Sequence, residues 1–261
     1  MDRINGANTV DIGSGRRGWR MRNLLAGIAG TEFTAGYQNA SQEELIGLIE
    51  AAGLTPDEND WGQVLQAIML LTAPRMQVFL ASGSFTVPAH VTRLKVRAWG
   101  AGGSGGGSSD LGWPGGGGGA GGYGEVVLGV TPGQVIPVVV GHGTAGANGG
   151  ATTFGTLVCN GGGKGGEGSA GLVGAGGAGG SVAGADLAIT GSYASSGIVY
   201  GATGVVEGGS GASGFGTSIT RAVGSNSVGF NGNAGQFPGG GASGCTNSTA
   251  PGGNGLAVVE W

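Results

Sequence analysis

The spacing of apolar residues divides the chain into a helical part and a strand-rich part. Between residues 34 and 52, apolar side chains recur three and four positions apart, at Leu45, Leu48, Ile49 and Ala52. A second apolar stripe runs to about Thr72 and follows residues 55–58, Thr-Pro-Asp-Glu, which have the form of a capping box. The pattern therefore predicts a helical hairpin over residues 34–75, too small to bury a core of its own.

From Met76 onward the apolar pattern has a period of two residues, which is typical of half-buried strands. In residues 94–99 the even-numbered side chains are predicted to face a core and the odd-numbered ones to face away. Similar runs predict strands at 85–88, 124–130, 134–140, 154–159 and 255–261. The predicted fold is a small α-helical N-terminal segment followed by a mainly β C-terminal domain.

Glycine changes this picture, because 56 of the 67 glycines lie between Gly100 and the C-terminus. They form tracts at 100–107, 115–122, 141–150, 161–180, 208–216, 239–244 and 252–255. The tracts alternate with strand signals, unlike flexible linkers, and lack the strict three-residue period of collagen. Extended helices of the polyglycine II type can pack side by side through backbone hydrogen bonds when side chains are absent. We therefore expect a β-sandwich merged with packed polyglycine II-type helices.

Charge and hydropathy exclude some classes of partner. The net charge is −4, and residues 100–261 carry only Lys164 and Arg221 against six acids. Such a surface is a poor ligand for nucleic acid, since phosphate contacts need basic residues. Membrane insertion is not expected either, because no apolar run approaches the roughly 18–20 residues of a bilayer span. Cys159 and Cys245 are predicted to be buried or incidental thiols.

Motifs for catalysis, cofactors and metals are weak. The two G-x-G-x-x-G matches at 100–105 and 141–146 are not followed by helical sequence, as a dinucleotide fold requires. His90 and His142 are isolated, and the acids of the glycine-rich part are scattered. We expect no enzyme activity, no cofactor and no metal site.

Several sequence blocks resemble the glycine-rich domain of bacteriophage tail fibres. These blocks are residues 84–88, 91–96, 99–103, 123–124, 130–134, 138–141 and 255–261. Residues 1–9, 42–44 and 50–56 are similar to tail-fibre N-terminal segments. The resemblance implies a virion component, made in the host cytoplasm, that recognises the bacterial surface and is usually trimeric. It leaves open whether the chain is a detachable fibre tip or a complete short fibre.

The resemblance assigns a role to each region. Residues 1–33 would attach to other tail or baseplate proteins, residues 34–75 would trimerise or attach the chain, and residues 76–261 would bind the receptor. Within the last region, contacts are expected from the non-glycine interruptions 108–114, 186–207 and 217–238. The candidate receptor-binding residues are Trp113, Tyr193, Tyr200, Phe230 and Phe237, together with Asp110 and Asp186.

Four questions about the binding residues, the receptor and the function stay open at this point. One alternative for these aromatic residues is that some of them fill the base of the sandwich and do not bind a receptor. The receptor itself is either a glycan or an outer-membrane protein. In place of a receptor-binding fibre, the chain would be a structural or ice-binding bundle of glycine helices. The remaining alternative is a receptor-binding fibre that also cleaves surface polysaccharide.

Overall fold

The computed structural model describes residues 6–73, 75–89, 91–201, 204–215 and 219–261. The chain divides into two compact units, Met1–Ala73 and Pro74–Trp261. Mostly β structure, with a short helical segment near the N-terminus, confirms the predicted fold class.

The first unit contains a small antiparallel strand pair and two helices. The strands are β1 (Val10–Asp11) and β2 (Arg17–Gly18), and the helices are α1 (Ala35–Ala51) and α2 (Gln63–Thr72). Thr34 caps α1 through its hydroxyl, which accepts from the amide of Tyr37 at 3.3 Å. The helices pack on each other, with Ile49 of α1 and Ala67 of α2 buried.

The start of α2 differs from the prediction. The capping-box reading places it at Pro56, whereas the helix begins at Gln63. The side chain of Gln63 explains the difference, because it accepts from the amide of Asp57 at 2.8 Å and donates to the carbonyl of Thr55 at 2.7 Å. These two bonds hold residues 55–57 as a loop against the helix, so the capping box is not used.

The second unit is built on short strands. In chain order they are β3 (Met76–Phe79), β4 (Gly83–Thr86), β5 (Arg93–Trp99), β6 (Tyr123–Gly129), β7 (Val135–Val139), β8 (Thr152–Phe154), β9 (Leu157–Cys159), β10 (Val182–Ala183), β11 (Leu187–Ile189), β12 (Ile198–Tyr200), β13 (Val205–Glu207), β14 (Val223–Ser225) and β15 (Leu256–Glu260). Two five-stranded sheets have the orders β11-β6-β5-β15-β3 and β10-β9-β8-β7-β4, and β12-β13-β14 form a smaller sheet. The paired strands are antiparallel.

The two large sheets enclose the hydrophobic core of a β-sandwich. Leu94, Val96 and Ala98 of β5 are fully buried, whereas Lys95 is exposed, which confirms the predicted alternation. Val96 lies between Val126 of β6 and Val259 of β15, so one row of small branched side chains crosses the sheet.

One predicted strand is a hairpin instead. Residues 154–159 were expected to form a single strand, but β8 and β9 fold back on each other with Phe154 opposite Leu157. Gly155 turns the chain with a φ of +56°, a left-handed conformation that favours glycine.

Beyond the sandwich, the strands continue into a bundle of extended glycine segments joined by backbone hydrogen bonds. We label them g1 (100–107), g2 (115–122), g3 (141–150), g4 (160–168), g5 (174–180), g6 (191–197), g7 (208–212), g8 (231–236), g9 (239–245) and g10 (248–254). Segment g3 folds back on itself, and the amide of Gly150 donates to the carbonyl of His142 at 3.0 Å. The tract predicted at 161–180 is therefore two antiparallel segments, g4 and g5, connected by a turn in which Ser169 pairs with Leu172. We call the whole bundle the glycine lattice.

Hydrogen bonding in the glycine lattice repeats every three residues. Every third amide of g1, beginning at Gly100, donates to a carbonyl of the antiparallel g2 at 2.8–2.9 Å. The following amides, at Ala101 and Ser104, donate to g3, and the amide of Gly102 donates to g10. A three-residue period is that of the polyglycine II helix, which has no internal hydrogen bonds and must satisfy its amides from neighbours.

Segment g2 lies at the centre of the glycine lattice. All eight of its amides donate, over 2.8–3.1 Å, to carbonyls of g4, g6 and g9. Its carbonyls in turn accept from amides of g1, g5 and g7. Six neighbours around one extended segment is the arrangement of hexagonal packing, so the interior of this part of the molecule is made of backbone.

Candidate functional site

The glycine lattice has a distal end, which is the end remote from the β-sandwich. There its segments reverse direction and run back toward the strands. We define the distal end by the turn 108–114, the turn 168–173, the β12-β13-β14 sheet, residues 228–231 and the turn 246–248. The amide of Gly168 donates to the carbonyl of Gly107 at 2.9 Å, which joins the first two turns. The amide of Asn247 donates to the carbonyl of Phe230 at 3.1 Å, which joins the last two.

Asp110 and Trp113 lie together on the turn between g1 and g2. The carboxylate of Asp110 accepts from the amide of Gly112 at 3.0 Å, and its carbonyl accepts from the amide of Trp113 at 3.1 Å. The hydroxyl of Ser108 donates to the carbonyl of Gly168 at 2.9 Å and anchors the turn to its neighbour. Asp110 therefore shapes the turn that carries the half-buried indole of Trp113.

Tyr200 and Phe230 lie on or beside the small distal sheet. Tyr200 ends β12, opposite Val205 of β13, and its side chain is 44% exposed. The ring of Phe230 packs on Gly224 of β14, where an added Cβ would lie 2.3 Å from the ring carbon Cδ1. Tyr200 is thus partly exposed to solvent, while Phe230 mainly fills space between the sheet and the neighbouring turn.

The other three predicted site residues lie elsewhere. Tyr193 is on g6, on the flank of the glycine lattice, and is 75% exposed. Phe237, 52% exposed, precedes g9 at the sandwich side of the lattice. The carboxylate of Asp186 accepts from the amide of Val127 at 2.8 Å and fastens β11 to the edge of β6. The structure therefore brings Asp110, Trp113, Tyr200 and Phe230 to one end and leaves these three apart.

Sequence reasoning missed several residues of the distal end. Leu172, Val223 and Val228 are exposed there, with exposed fractions of 70%, 53% and 66%. The side-chain amide of Asn247 donates to the side-chain oxygen of Asn231 at 2.9 Å and forms a polar patch beside them. The sequence signal that could have identified them is a branched apolar residue in a short turn between two glycine segments. Such a residue has no nearby hydrophobic core in which to be buried.

Comparison with protein families identifies the strand-and-glycine architecture. Residues 80–261, more than two thirds of the chain, match the family described as a glycine-rich domain. The chain belongs to the glycine-rich domain family. The match covers the glycine lattice and the strands of the β-sandwich other than β3, so the glycine-rich domain includes strands as well as glycine segments. A comparison with curated proteins finds no match.

The distal end of the glycine-rich domain carries little free charge. On g4, which leads to this end, Lys164 pairs with Glu167, whose carboxylate also accepts from the amide of Gly107 at 3.0 Å. Arg221 lies 3.2 Å from the carboxylate of Glu207. Because Arg221 and Glu207 offset each other and Asp110 adds only one carboxylate, a ligand at this end would be held by short-range contacts, with little long-range steering.

Both cysteines of the glycine-rich domain are free and buried, which confirms the prediction of buried thiols. Burial raises the pKa of Cys159 to about 12 and also raises the pKa of Cys245. The thiol of Cys159 donates to the carbonyl of Ala98 at 3.3 Å. Both residues therefore stay protonated at neutral pH and act as small apolar side chains.

The described residues contain no group of three His, Cys, Asp or Glu side chains close enough to hold a metal ion. His90 lies outside the described residues, as do Thr217 and Ser218 of the third predicted interruption. Neither helix in the described part of the chain has the length and hydropathy needed to span a bilayer.

Proposed function

We propose that this protein is a receptor-binding component of a bacteriophage tail fibre, which attaches the virion to the bacterial surface through the distal end of its glycine-rich domain. The observation that carries the proposal is the gathering of Asp110, Trp113 and Tyr200 with exposed aliphatic side chains on turns joined by the glycine lattice. The resemblance of the strand blocks to tail-fibre proteins supports the same assignment.

A binding role suits the way the distal turns are held. Their backbone is fixed by hydrogen bonds to segments that are themselves bonded on several sides, as at Gly168 and Asn247. Aromatic side chains on a fixed backbone give contact area at low entropic cost, because few rotatable bonds have to be ordered on binding. The glycine lattice itself offers few side chains, so recognition has to come from the turns.

The first unit would supply assembly and attachment. Helix α2 leaves Leu65, Ile68 and Met69 at least 45% exposed, and their spacing places them on one helical face. We assign this apolar face to contact between copies of the chain in a homotrimer. Residues 1–33 would bind other tail or baseplate proteins, and the partner of the distal turns would be a bacterial glycan or an outer-membrane protein.

A blocking experiment tests the proposal. Purified full-length protein should bind a susceptible bacterium and reduce phage adsorption, and the combined variant Trp113→Ala/Tyr200→Ala should lose most of that effect. Val135→Ala, which trims an exposed apolar side chain on the β-sandwich, is the matched control and should block like the unmodified protein.

Three results would favour a different site or function. Full blocking by the double variant would contradict the distal site: loss on Tyr193→Ala would then move the binding face to the flank of the glycine lattice, and loss on Phe237→Ala would move it to the sandwich side. Absence of binding to every bacterium tested, together with thermal hysteresis in ice growth, would favour the structural or ice-binding alternative. Release of reducing ends from host polysaccharide would indicate a cleaving fibre.

A further inference from the structure

A small pocket lies on the flank of the glycine-rich domain, where strands pass into the glycine lattice. Its walls are the end of g2 with Tyr123 of β6, residues 189–192 between β11 and g6, and residues 213–215 after g7. The cavity has a volume of about 280 Å³. We call it the flank pocket; it shares no residue with the distal end.

The walls of the flank pocket are fixed by contacts that do not involve a ligand. The ring of Phe215 stacks on that of Tyr123 with 4.6 Å between centroids, and Tyr123 in turn contacts Trp99 at 4.7 Å. The indole nitrogen of Trp99 donates to the carbonyl of Phe215 at 3.3 Å. On the opposite wall, the carbonyl of Ser192 accepts from the amide of Ala120 at 3.1 Å.

The lining combines an aromatic face with hydroxyl groups. Phe215 is 52% exposed and presents its ring, while Tyr123 beneath it is only 5% exposed. Among the residues that the structure describes, the hydroxyls of Thr190, Ser192 and Ser213 form no hydrogen bond to another protein group. These three hydroxyls are therefore free to donate to or accept from a bound molecule.

Charge and size limit further the class of molecule that the flank pocket could bind. Each of the described residues that line the flank pocket is uncharged. The carboxylate of Glu125, which accepts from the phenol of the lining residue Tyr123 at 3.2 Å, is paired with Lys95 at 3.0 Å. The volume falls just below the roughly 300–1,000 Å³ of pockets for drug-sized ligands. An uncharged, ring-sized molecule with one apolar face and several hydroxyls fits these properties.

We propose that the flank pocket binds one neutral pyranose ring of a glycan. The C–H face of the sugar would lie on the ring of Phe215, and its hydroxyls would bond to Thr190, Ser192 and Ser213. This inference adds a second contact to the proposed function. Its test uses pure sugars, so it succeeds or fails independently of the adsorption experiment at the distal end.

Saturation-transfer NMR on the full-length protein tests the assignment. The probes are the methyl glycosides of glucose, galactose, mannose and N-acetylglucosamine, up to about 20 mM, because ligands with so few atoms bind in the millimolar range. At least one glycoside should receive saturation. Phe215→Ala should weaken its binding about tenfold, the loss expected for an aromatic stacking contact.

A smaller substitution distinguishes a loss of binding from a loss of folded structure. Ser192→Ala removes one exposed hydroxyl and should weaken the same glycoside about two- to tenfold without lowering the melting temperature. Trp61→Ala, which removes a 95% exposed aromatic ring from the first unit, is the control and should leave glycoside binding unchanged. The proposal is overturned if no glycoside receives saturation, or if Phe215→Ala and Ser192→Ala bind like the unmodified protein.

Discussion

At the scale of single residues, glycine in the centre of the lattice is required by its neighbours and not by its own backbone angles. None of the glycines in g1 or g2 has a positive φ. A Cβ at Gly118 would instead lie 2.1 Å from the carbonyl oxygen of Gly103, and one at Gly177 would lie 2.1 Å from that of Gly163. The adjoining atoms are backbone and cannot swing aside as a flexible side chain would.

Gly118→Ala and Gly177→Ala should each lower the free energy of unfolding by more than about 3 kcal/mol, the upper end of ordinary substitutions. The physical cause is a clash that separates two packed backbones and breaks their hydrogen bonds. Gly129→Ala is the matched control, since its Cβ would meet nothing within 4 Å, and it should change stability by less than about 1 kcal/mol. Thermal denaturation followed by circular dichroism gives the comparison, and equal melting temperatures for all three variants would show that the lattice tolerates side chains.

The two thiols should be unreactive in the folded protein. Burial raises the pKa of Cys159 to about 12, so the thiolate that reacts with disulfide reagents is scarce between pH 7 and pH 9. We expect no release of chromophore from Ellman's reagent in native buffer and release from both cysteines in denaturant. Because the pKa of Cys159 is higher in the folded than in the unfolded protein, its burial as a protonated thiol stabilises the fold fully below the pKa of the unfolded thiol. That stabilisation is lost as the pH rises toward 12. Rapid modification of native protein at pH 7 would contradict the assignment.

At the scale of elements, the sequence pattern predicts what depends on neighbours along the chain. The alternation in β5 and the strand-to-glycine boundaries follow from local spacing, and the structure agrees with them. Strands β12, β13 and β14 were not predicted, because they are three residues long and are defined by pairing to one another. The fold of residues 161–180 into g4 and g5 was missed for the same reason.

The candidate site shows the same division. That the non-glycine interruptions carry the aromatic side chains can be read from the sequence. Which of them meet at one end depends on the length and direction of each glycine segment, and this places Trp113 beside the distal sheet but Phe237 at the sandwich side. The flank pocket could not be foreseen, because its walls come from three distant parts of the chain.

Helix α2 should determine the oligomeric state. Ile68→Glu places a charge in the middle of its exposed apolar face, and burying that charge between copies would be costly. We expect light scattering to show a trimer for the unmodified protein and a monomer for Ile68→Glu. Asn39→Glu adds the same charge at an exposed polar position of α1 and should leave the trimer intact. A monomeric unmodified protein at micromolar concentration would contradict the role given to α2.

At the scale of the whole molecule, the glycine-rich domain joins two kinds of interior. Apolar side chains such as Leu94 and Phe154 fill the sandwich, whereas backbone fills the centre of the lattice. The pair β5 and β6 passes directly into g1 and g2, with Trp99 opposite Tyr123 followed by the bond from Gly100 to Gly122. The two interiors are therefore continuous through the backbone.

This continuity predicts how protection from hydrogen exchange is distributed over the domain. The amides of g2 should be among the slowest, comparable with those of β5, because all of them donate within a buried segment. Amides of the exposed turn at 169–172 should exchange faster by orders of magnitude. Peptide-resolved exchange measured by mass spectrometry tests this ranking, and fast exchange throughout residues 115–122 would mean that the lattice opens independently of the sandwich.

The six-sided bonding of g2 also has a mechanical consequence. Its hydrogen bonds run across the segment, so a pull along the segment loads them in shear, many at once, and does not peel them apart one after another. In the proposed tail fibre, a particle tethered to a cell in moving liquid would apply such a pull between the distal turns and the strand end of the domain. Rupture would then require the simultaneous failure of a whole row of bonds, although each one alone contributes only about 1 kcal/mol.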